Sequence, residues 1–317
     1  MASATVHEIA GQLPLKPFFE PIVVNRRGRS IPGPLRITLF NALGAARLDG
    51  IAACLARPPL DRSSIILLCE SDWGTARSGN LKTAAELAAR LEMSFAYVPE
   101  FGIPTSGRGH NSFLGNAILS TAPLEEVSAV AMPLPSPEMA SPVLRYRVGL
   151  PAGLVARARF DGIDLAIGVV HLSSHCDPGS RDQQIAAYLA AFPAGGPAIL
   201  GGDLNTTTTE LTTGRAFLRT CATMMVNPGR FRAPISYEPL FERIAAAGLR
   251  IDGVNAIGRP TFTFTRLIPP IFRPKLDWIA VREVEPVDGT AAVIPARRTF
   301  FSRRVSDHDF VTAEVRL

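Results

Sequence analysis

The chain has 317 residues, a mass of 34.0 kDa, a formal net charge of +5 and a sequence pI of about 9.3. Hydrophobic residues make up 47% and charged residues 19%, a balance that excludes an intrinsically disordered protein and permits one large domain or two ordinary ones. The positive charge would help attract a phosphorylated substrate, but it is nearly all arginine, and GC-rich coding produces the same skew. Charge alone therefore does not identify a nucleic-acid binder.

The N-terminal segment and the cysteines give no sign of export. Residues 1–34 lack the basic start and long apolar region of a signal peptide, and no apolar run approaches the roughly 20 residues of a membrane helix. The four cysteines show no zinc-ligand spacing, and Cys54 and Cys69 lie in apolar runs typical of buried thiols. We predict a cytoplasmic protein without a membrane span, with residues 1–34 as an N-terminal extension of one domain over 35–317. A monomer is the expected oligomeric state.

The first two predicted core strands each end at a polar residue. Residues 35–40 (LRITLF) alternate like a strand and lead into Asn41, and the apolar residues 65–69 (IILLC) lead into Glu70. A glutamate leaving a buried strand either marks the exposed end of that strand or needs a partner or a cation, because an isolated buried charge is costly. Helical patterns follow these strands over 51–56 and 81–91.

The middle of the chain supplies a polar loop and further strands. Residues 102–115 are rich in Gly, Ser, Arg, His and Asn, so Arg108 and His110 could face a phosphate or simply be exposed to solvent. Asn116 stands at the start of a strand over 115–120. Residues 144–150 and 154–160 alternate like paired strands, which predicts a turn at 151–153.

A buried strand over 165–170 (LAIGVV) ends on His171, although a lone histidine after a strand is more often structural than catalytic. A helix over 183–192 follows, with Ser180 or Asp182 as its predicted N-cap.

The stretch PAILGGDLN at 197–205 is the most informative in the chain. Its apolar run predicts a buried strand, and its two glycines predict a tight turn at the end of that strand. Asp203 and Asn205 are two residues apart, so on extended chain their side chains point the same way. A carboxylate can hold a hard cation or act as a base, and an amide can orient a nucleophile. The same residue types are also favoured in ordinary turns.

The C-terminal part contains two further polar positions. Asp277 lies inside the apolar strand pattern LDWIAV at 276–281, so we expect a buried carboxylate that needs a hydrogen-bond donor. Asp307 and His308 come directly before an alternating strand over 310–317. No internal repeat or interdomain linker is visible.

Taken in order, these pieces resemble the endonuclease/exonuclease/phosphatase superfamily, also called DNase I-like. The matching pieces are Asn41 after a strand, Glu70 after IILLC, GNAILS at 115–120, His171 with Leu172, GGDLN at 201–205, LDWI at 276–279 and SDH at 306–308. Each piece is short, but seven in the right order span nearly the whole chain. The resemblance implies an α/β fold built as a four-layer α/β/β/α sandwich, in which two mainly antiparallel sheets pack face to face between outer helices.

The resemblance also implies a metal site and a substrate. Glu70 would be the main metal carboxylate, with Asn41 and Asp307 near the same ion, and Mg²⁺ or Mn²⁺ is expected because oxygen ligands suit these cations. The substrate would be a phosphorylated molecule, with nucleic acid as the first candidate. The substrate-binding candidates are Arg108, His110 and Asn116.

The catalytic roles follow from the same resemblance. Asp203 would activate or orient the attacking water, and Asn205 would hold that water or a phosphate oxygen. Asp277 would orient His308 and favour its protonated form. His171 would donate a hydrogen bond to the phosphate.

The sequence departs from the family pattern in two places, and both bear on the substrate. Tyr146 is the candidate for the Tyr or Asp that some members use before the His-Leu strand, and its surroundings do not match the family pattern. Threonines follow Asn205 where some subfamilies have arginine. We predict a divalent-metal-dependent phosphoesterase and favour a phosphodiester in nucleic acid as its substrate. The alternatives are an enzyme acting on a small phosphorylated metabolite or phospholipid headgroup, and an inactive binding scaffold.

Overall fold

The computed structural model describes most of the chain. The described residues are 20–28, 31–103, 112–135, 148–174, 176–208, 225–231, 234–263, 269–297 and 302–317, with the single residues 215, 218, 222 and 299.

Fourteen strands lie within this part of the chain and form two sheets. In chain order they are β1 (Ile22–Val24), β2 (Leu35–Gly44), β3 (Ser63–Trp73), β4 (Ser94–Ile103), β5 (Ser112–Ser120), β6 (Glu125–Ala131), β7 (Val148–Gly149), β8 (Ala152–Phe160), β9 (Ile163–His171), β10 (Ala198–Asp203), β11 (Asp277–Arg282), β12 (Glu285–Pro286), β13 (Ala292–Ile294) and β14 (Phe310–Arg316). The first sheet has the order β1-β4-β5-β3-β2-β14-β12, with β7 beside β4 and β13 beside β14. The second has the order β11-β10-β9-β8-β6. Only β2–β3 and β9–β10 pair in parallel among these strands.

Helices cover the outer face of each sheet, so the predicted four-layer sandwich is confirmed. They are α1 (Leu48–Leu55), α2 (Thr83–Leu91), α3 (Pro178–Ala191) and α4 (Leu240–Ala246). A buried apolar core between the sheets includes Leu39, Leu67, Ile167 and Ile199. A second core lies under α1 and α2, and a third under α3 and α4. The core between the sheets is mainly apolar, and the polar side chains of the candidate site lie near the ends of their strands.

Irregularities in three strands turn polar side chains toward one edge of the sandwich. The register of β2 against β3 shifts after Asn41, and the register of β3 against β5 shifts around Glu70, whose φ is +53°. A third shift lies in β4 between Pro99 and Phe101, at Glu100. An extra residue in one strand bends that strand and re-aims its side chain. The sequence patterns do not reveal these bulges.

The two glycines of GGDLN lie inside β10 and do not form the turn that we predicted. A Cβ on Gly202 would lie 1.8 Å from the carbonyl oxygen of Val170, and one on Gly201 would lie 2.6 Å from Cδ1 of Leu67 in the other sheet. These glycines are needed for close approach of β9 and of the opposite sheet. They set the separation of the elements that carry the site.

Other local predictions also need correction. Helix α3 begins earlier than predicted, and its N-cap is Asp177, whose carboxylate accepts a hydrogen bond from the backbone N of Ser180 at 3.0 Å. Strands β7 and β8 do not pair with each other, because β7 joins β4 and β8 joins β6 and β9.

Strand β1 lies within the predicted extension 1–34 and pairs with β4 as an edge strand of the first sheet. The described part of the chain contains no helix that is long and apolar enough to cross a membrane.

Candidate active site

Three acidic or imidazole side chains lie side by side at one edge of the second sheet. Asp203, the last residue of β10, is in register with His171 at the end of β9 and with Asp277 at the start of β11. Direct cross-strand neighbours project from the same face of a sheet. The sheet register therefore brings together residues that are 32 and 74 positions from Asp203 in the sequence.

His308 lies against this row and forms a buried dyad with Asp277. Its Nδ1 is 2.8 Å from Oδ2 of Asp277, and its Nε2 is 3.6 Å from Oδ2 of Asp203. Burial alone would lower the pKa of His308, but interaction with the carboxylates of Asp277 and Asp203 outweighs that effect and raises it to about 10. The imidazole is therefore protonated near neutral pH. The ring of Phe262 packs edge-on against it at 5.0 Å.

His171 forms a second dyad, with a residue that the sequence analysis missed. Its Nδ1 is 3.1 Å from Oε2 of Glu100, a carboxylate that is only 1% exposed on β4. Burial would lower the pKa of His171, but the charge of Glu100 and its hydrogen bond raise it to about 10, with help from Asp203. The sequence does show Glu100 as a charged residue within the apolar run of β4, which could have marked it as a site residue. Its direction could not be predicted, because that direction depends on the bulge in β4.

Asp203 lies between the two imidazoles. Its Oδ2 is 3.9 Å from Nε2 of His171 and accepts a hydrogen bond from Nδ2 of Asn41 at 2.9 Å. Burial raises the pKa of Asp203 and His308 opposes that rise, with a net result of about 6 against the ordinary 3.8. A carboxylate with this pKa is ionised near neutral pH and is a stronger base than an exposed aspartate.

Asn205 follows in a compact loop. Its backbone N donates to Oδ1 of Asp203 at 3.0 Å, and its side-chain Nδ2 donates to the carbonyl oxygen of Leu172 at 2.7 Å. The side-chain amide thus ties the loop after β10 to the loop after β9. One amide hydrogen of Nδ2 is used in this bond.

Asn41 and Glu70 join the first sheet to this row. Nδ2 of Asn41 donates both to Oε1 of Glu70 at 3.1 Å and to Oδ2 of Asp203 at 2.9 Å. Oε1 of Glu70 lies 3.8 Å from Nε2 of His171. The Glu70 side chain is 21% exposed, so it can present an oxygen to a ligand at the surface of the site. Asn41 therefore positions the predicted metal carboxylate against the predicted base.

Ser306 links Asp307 and His308 to the end of β2. The sequence analysis gave this serine no role. Oγ of Ser306 donates to the carbonyl oxygen of Asn41 at 2.8 Å, accepts from the backbone N of His308 at 3.1 Å, and lies 3.2 Å from Oδ1 of Asp307. Ser306 thus fixes the segment before β14 against the end of β2. Asp307 also contributes to the raised pKa of His308.

The donor set fits a hard divalent cation. Five carboxyl groups surround the two imidazoles, an acidic excess that a cation would offset; they are Glu70, Glu100, Asp203, Asp277 and Asp307. Asp203, Asp277 and His308 have possible ligand atoms within 4.8 Å of one another. His308 and Asp277 are bonded to each other at 2.8 Å within this group, whereas the carboxylate of Glu70 is partly exposed and could hold a cation from the solvent side.

Of the three predicted substrate contacts, the structure describes only Asn116. Asn116 on β5 is fully buried; its Nδ2 donates to the carbonyl oxygen of Ala152 at 2.7 Å, and its Oδ1 has no hydrogen-bond partner in the described part of the chain. Arg108 and His110 lie outside the described residues, as does Tyr146.

An open groove of about 600 Å³ begins at the site. It is lined by Leu43, two residues after Asn41, and by Asp307. Arg47 and Arg303 also line it, and both are exposed to solvent. Arg304 contributes its carbonyl oxygen as the acceptor for Arg47, while its own guanidinium is bonded to Asp309 at 2.6 Å.

The architecture and residue order match known proteins. The model of the Endonuclease/Exonuclease/phosphatase family matches residues 38–308. An endonuclease/exonuclease/phosphatase from Beutenbergia cavernae DSM 12333 is 20% identical with a TM-score of 0.58, over 89% of this chain and 71% of that one. D. rerio TDP2, complexed with single strand DNA product, is 16% identical with a TM-score of 0.54, over 89% and 99%. The human Nocturnin catalytic domain with bound sulfate anion is 16% identical with a TM-score of 0.55, over 94% and 96%. No curated protein matches the chain in sequence.

Proposed function

The chain belongs to the endonuclease/exonuclease/phosphatase family, which indicates a phosphoric ester hydrolase. From this premise we propose that it is a divalent-metal-dependent phosphodiesterase. The observation that carries the proposal is the position of Asp203, a buried carboxylate within 4 Å of two imidazoles that each have a second carboxylate behind them. This arrangement supplies a base and two hydrogen-bond donors at one place.

The roles of the side chains follow from charge and geometry. Asp203 orients a water molecule and accepts its proton as the water attacks phosphorus. The protonated His308 and His171 donate hydrogen bonds to phosphoryl oxygens, where negative charge increases in the transition state. Asp277 and Glu100 hold these imidazoles in place and keep them charged.

The metal ligands would be Glu70, with Asn41 and Asp307 as additional oxygen donors. A bound Mg²⁺ or Mn²⁺ would supply Lewis-acid polarisation of the phosphoryl group and would stabilise charge on the leaving oxygen. Asn41 orients Glu70 through its amide, so its loss would affect both the ligand and Asp203.

The groove favours a substrate that continues beyond the scissile phosphate. Arg303 and Arg47 could each bind a neighbouring phosphate, because guanidinium groups pair with phosphate oxygens in a bidentate way. The exposed side chain of Leu43 offers an apolar surface for a base. TDP2, a protein of the same fold, is solved with a single-stranded DNA product. We therefore propose a nucleic-acid phosphodiester as the substrate, with Arg108 and His110 as proposed contacts. Asn116, which is fully buried and donates to the carbonyl oxygen of Ala152, is not proposed as a contact.

The direct test is hydrolysis of bis-p-nitrophenyl phosphate and p-nitrophenyl phosphate in Mg²⁺, Mn²⁺ or EDTA. We expect metal-dependent cleavage of the diester by the wild type and near-complete loss in Asp203→Ala, with an unchanged circular dichroism spectrum. Asp164→Ala, on an exposed ion pair at the far end of β9, is the matched control and should be fully active. Cleavage of the monoester alone would replace the proposal with a phosphatase. No cleavage of either compound or of oligonucleotides, with intact metal binding, would favour an inactive scaffold.

A further inference from the structure

The loop that follows Asp203 has a strained backbone. Thr207 has φ +73°, in the left-handed region that residues other than glycine rarely adopt, and Asn205 has φ +47°, which asparagine tolerates better than most residues. Thr207 is β-branched, which makes this conformation still less favourable. Such a backbone persists only where the surrounding structure holds it. The loop therefore needs an external support.

A buried ion pair lies directly behind this loop. Arg181 on α3 and Glu238, just before α4, both have side chains with 0% exposure. Nε and one terminal nitrogen of Arg181 bind the two carboxylate oxygens of Glu238 at 3.1 and 2.7 Å. The remaining terminal nitrogen donates to the carbonyl oxygen of Cys176 at 2.9 Å. Removing two charges from water is costly, so a buried ion pair is weak support for stability by itself.

The pair is bonded to the loop at two points. Oε1 of Glu238 accepts the backbone N–H of Thr207 at 2.8 Å, and Arg181 donates to Oγ1 of Thr208 at 3.0 Å. The same hydroxyl of Thr208 donates to the carbonyl oxygen of Asn205 at 2.7 Å. The backbone N of Asn205 in turn donates to Oδ1 of Asp203. A continuous series of hydrogen bonds thus runs from the ion pair to the base.

We propose that Arg181 and Glu238 are positioning residues for Asp203 and Asn205, an inference that rests on the proposed function. Neither residue touches the reacting atoms. The pair holds the strained loop, and the loop fixes the orientation of the Asp203 carboxylate toward the water that it activates.

The first experiment measures the loop without relying on activity. The double variant Arg181→Met/Glu238→Leu removes both charges together, because removing one alone leaves an uncompensated buried charge. The matched control is Arg36→Met/Glu314→Leu, which removes an ion pair of 2.6 Å between β2 and β14. We expect hydrogen exchange of the peptide covering 203–208 to become faster in the first variant alone. Equal protection of this peptide in the wild type and both variants would overturn the proposal.

A milder variant separates positioning from general destabilisation. Thr208→Val removes the hydroxyl that links Arg181 to Asn205, and Thr208→Ser restores it. On bis-p-nitrophenyl phosphate with Mg²⁺, we expect Thr208→Val to lower kcat by about 10-fold with KM changed less than about 2-fold, since misorientation of a catalytic group affects the chemical step. Thr208→Ser should recover most of kcat.

The two measurements have distinct outcomes. Equal kcat values for the valine and serine variants would overturn the positioning role even if the enzyme is active as proposed. If the wild type hydrolyses no phosphoester, the proposed function fails, and the exchange rates of 203–208 still decide whether the ion pair holds the loop.

Discussion

Nδ1 of His308 lies 2.8 Å from Oδ2 of Asp277, in a dyad from which solvent is almost excluded. The other oxygen of Asp277, Oδ1, is buried and has no hydrogen-bond partner among the described residues. Within the described part of the chain, the imidazole is thus a hydrogen-bond partner of this carboxylate through Oδ2 alone. This relationship makes the charge of His308 depend on Asp277.

Asp277→Asn should lower the pKa of His308 from about 10. Burial opposes protonation of the imidazole, and the variant loses the Asp277 charge that outweighs this effect in the wild type. In the wild type, a pKa raised above the unfolded value of 6.5 contributes stability that is complete below pH 6.5 and lost as the pH rises through about 10. We expect the variant to lose kcat by about 10²- to 10⁴-fold at pH 8. NMR titration of the histidines checks the pKa; an unchanged value for His308 would contradict this prediction.

Glu100→Gln should lower the pKa of His171 in the same way, because the charge of Glu100 is the main factor that raises it. The imidazole would then lose its proton as the pH rises through the neutral range, so activity should fall at a lower pH than in the wild type. We expect at least about a 10-fold loss of kcat at pH 8. The pH–rate profile measures it. Glu126→Gln, on an exposed ion pair with Arg157, should leave the profile unchanged.

Asp203→Asn should raise stability while it abolishes activity. The pKa of Asp203 is about 6 when folded and 3.8 ordinarily, so ionised Asp203 favours unfolding at pH above 6 by roughly 3 kcal/mol. Asparagine resembles the protonated form and avoids that cost. Thermal melts in EDTA should give a higher Tm for the variant at pH 8, with the difference shrinking as the pH falls below about 6 and disappearing below about 4. A lower Tm at pH 8 would show that Asp203 stabilises the fold.

Glu70→Gln should weaken metal binding. The substitution keeps the shape of the side chain and an acceptor for Asn41, but it removes the negative charge. We expect the Kd for Mn²⁺, measured by calorimetry on the folded protein, to rise by about 10-fold or more. Glu86→Gln, exposed on α2, is the control and should bind Mn²⁺ like the wild type. An unchanged Kd in Glu70→Gln would remove Glu70 from the metal ligands.

Arg303→Ala should affect long substrates selectively. The exposed guanidinium lines the groove next to Asp307, so its loss should raise KM for a single-stranded oligonucleotide and leave KM for bis-p-nitrophenyl phosphate unchanged. The slope of log KM against log salt should decrease in magnitude by about 0.7 for each lost phosphate contact. Arg159→Ala, on the second sheet and paired with Asp164, serves as the control. Equal effects on both substrates would place Arg303 outside the nucleic-acid path.

Particular residues show how far sequence reasoning reaches. Asn41, Glu70, His171 and Asp203 were predicted as site residues because each follows an apolar run in the sequence, and the structure brings their side chains together. Glu100 was not identified, because the bulge that turns it toward His171 depends on the pairing of β4 with β5. Arg181 and Glu238 were missed for a related reason: they are 57 positions apart and meet only through the packing of α3 and α4.

The sequence by itself determined the order of the strand-end polar residues, the family they resemble and the apolar faces that make two sheets pack together. Only the tertiary structure decided which of these residues touch, since sheet register places His171, Asp203 and Asp277 side by side and bulges aim Glu70 and Glu100. It also decided the purpose of Gly201 and Gly202, which is close approach within and between the sheets. The physical reason is that hydrophobic periodicity is a local property, whereas contacts between distant strands depend on register and packing across the whole sandwich.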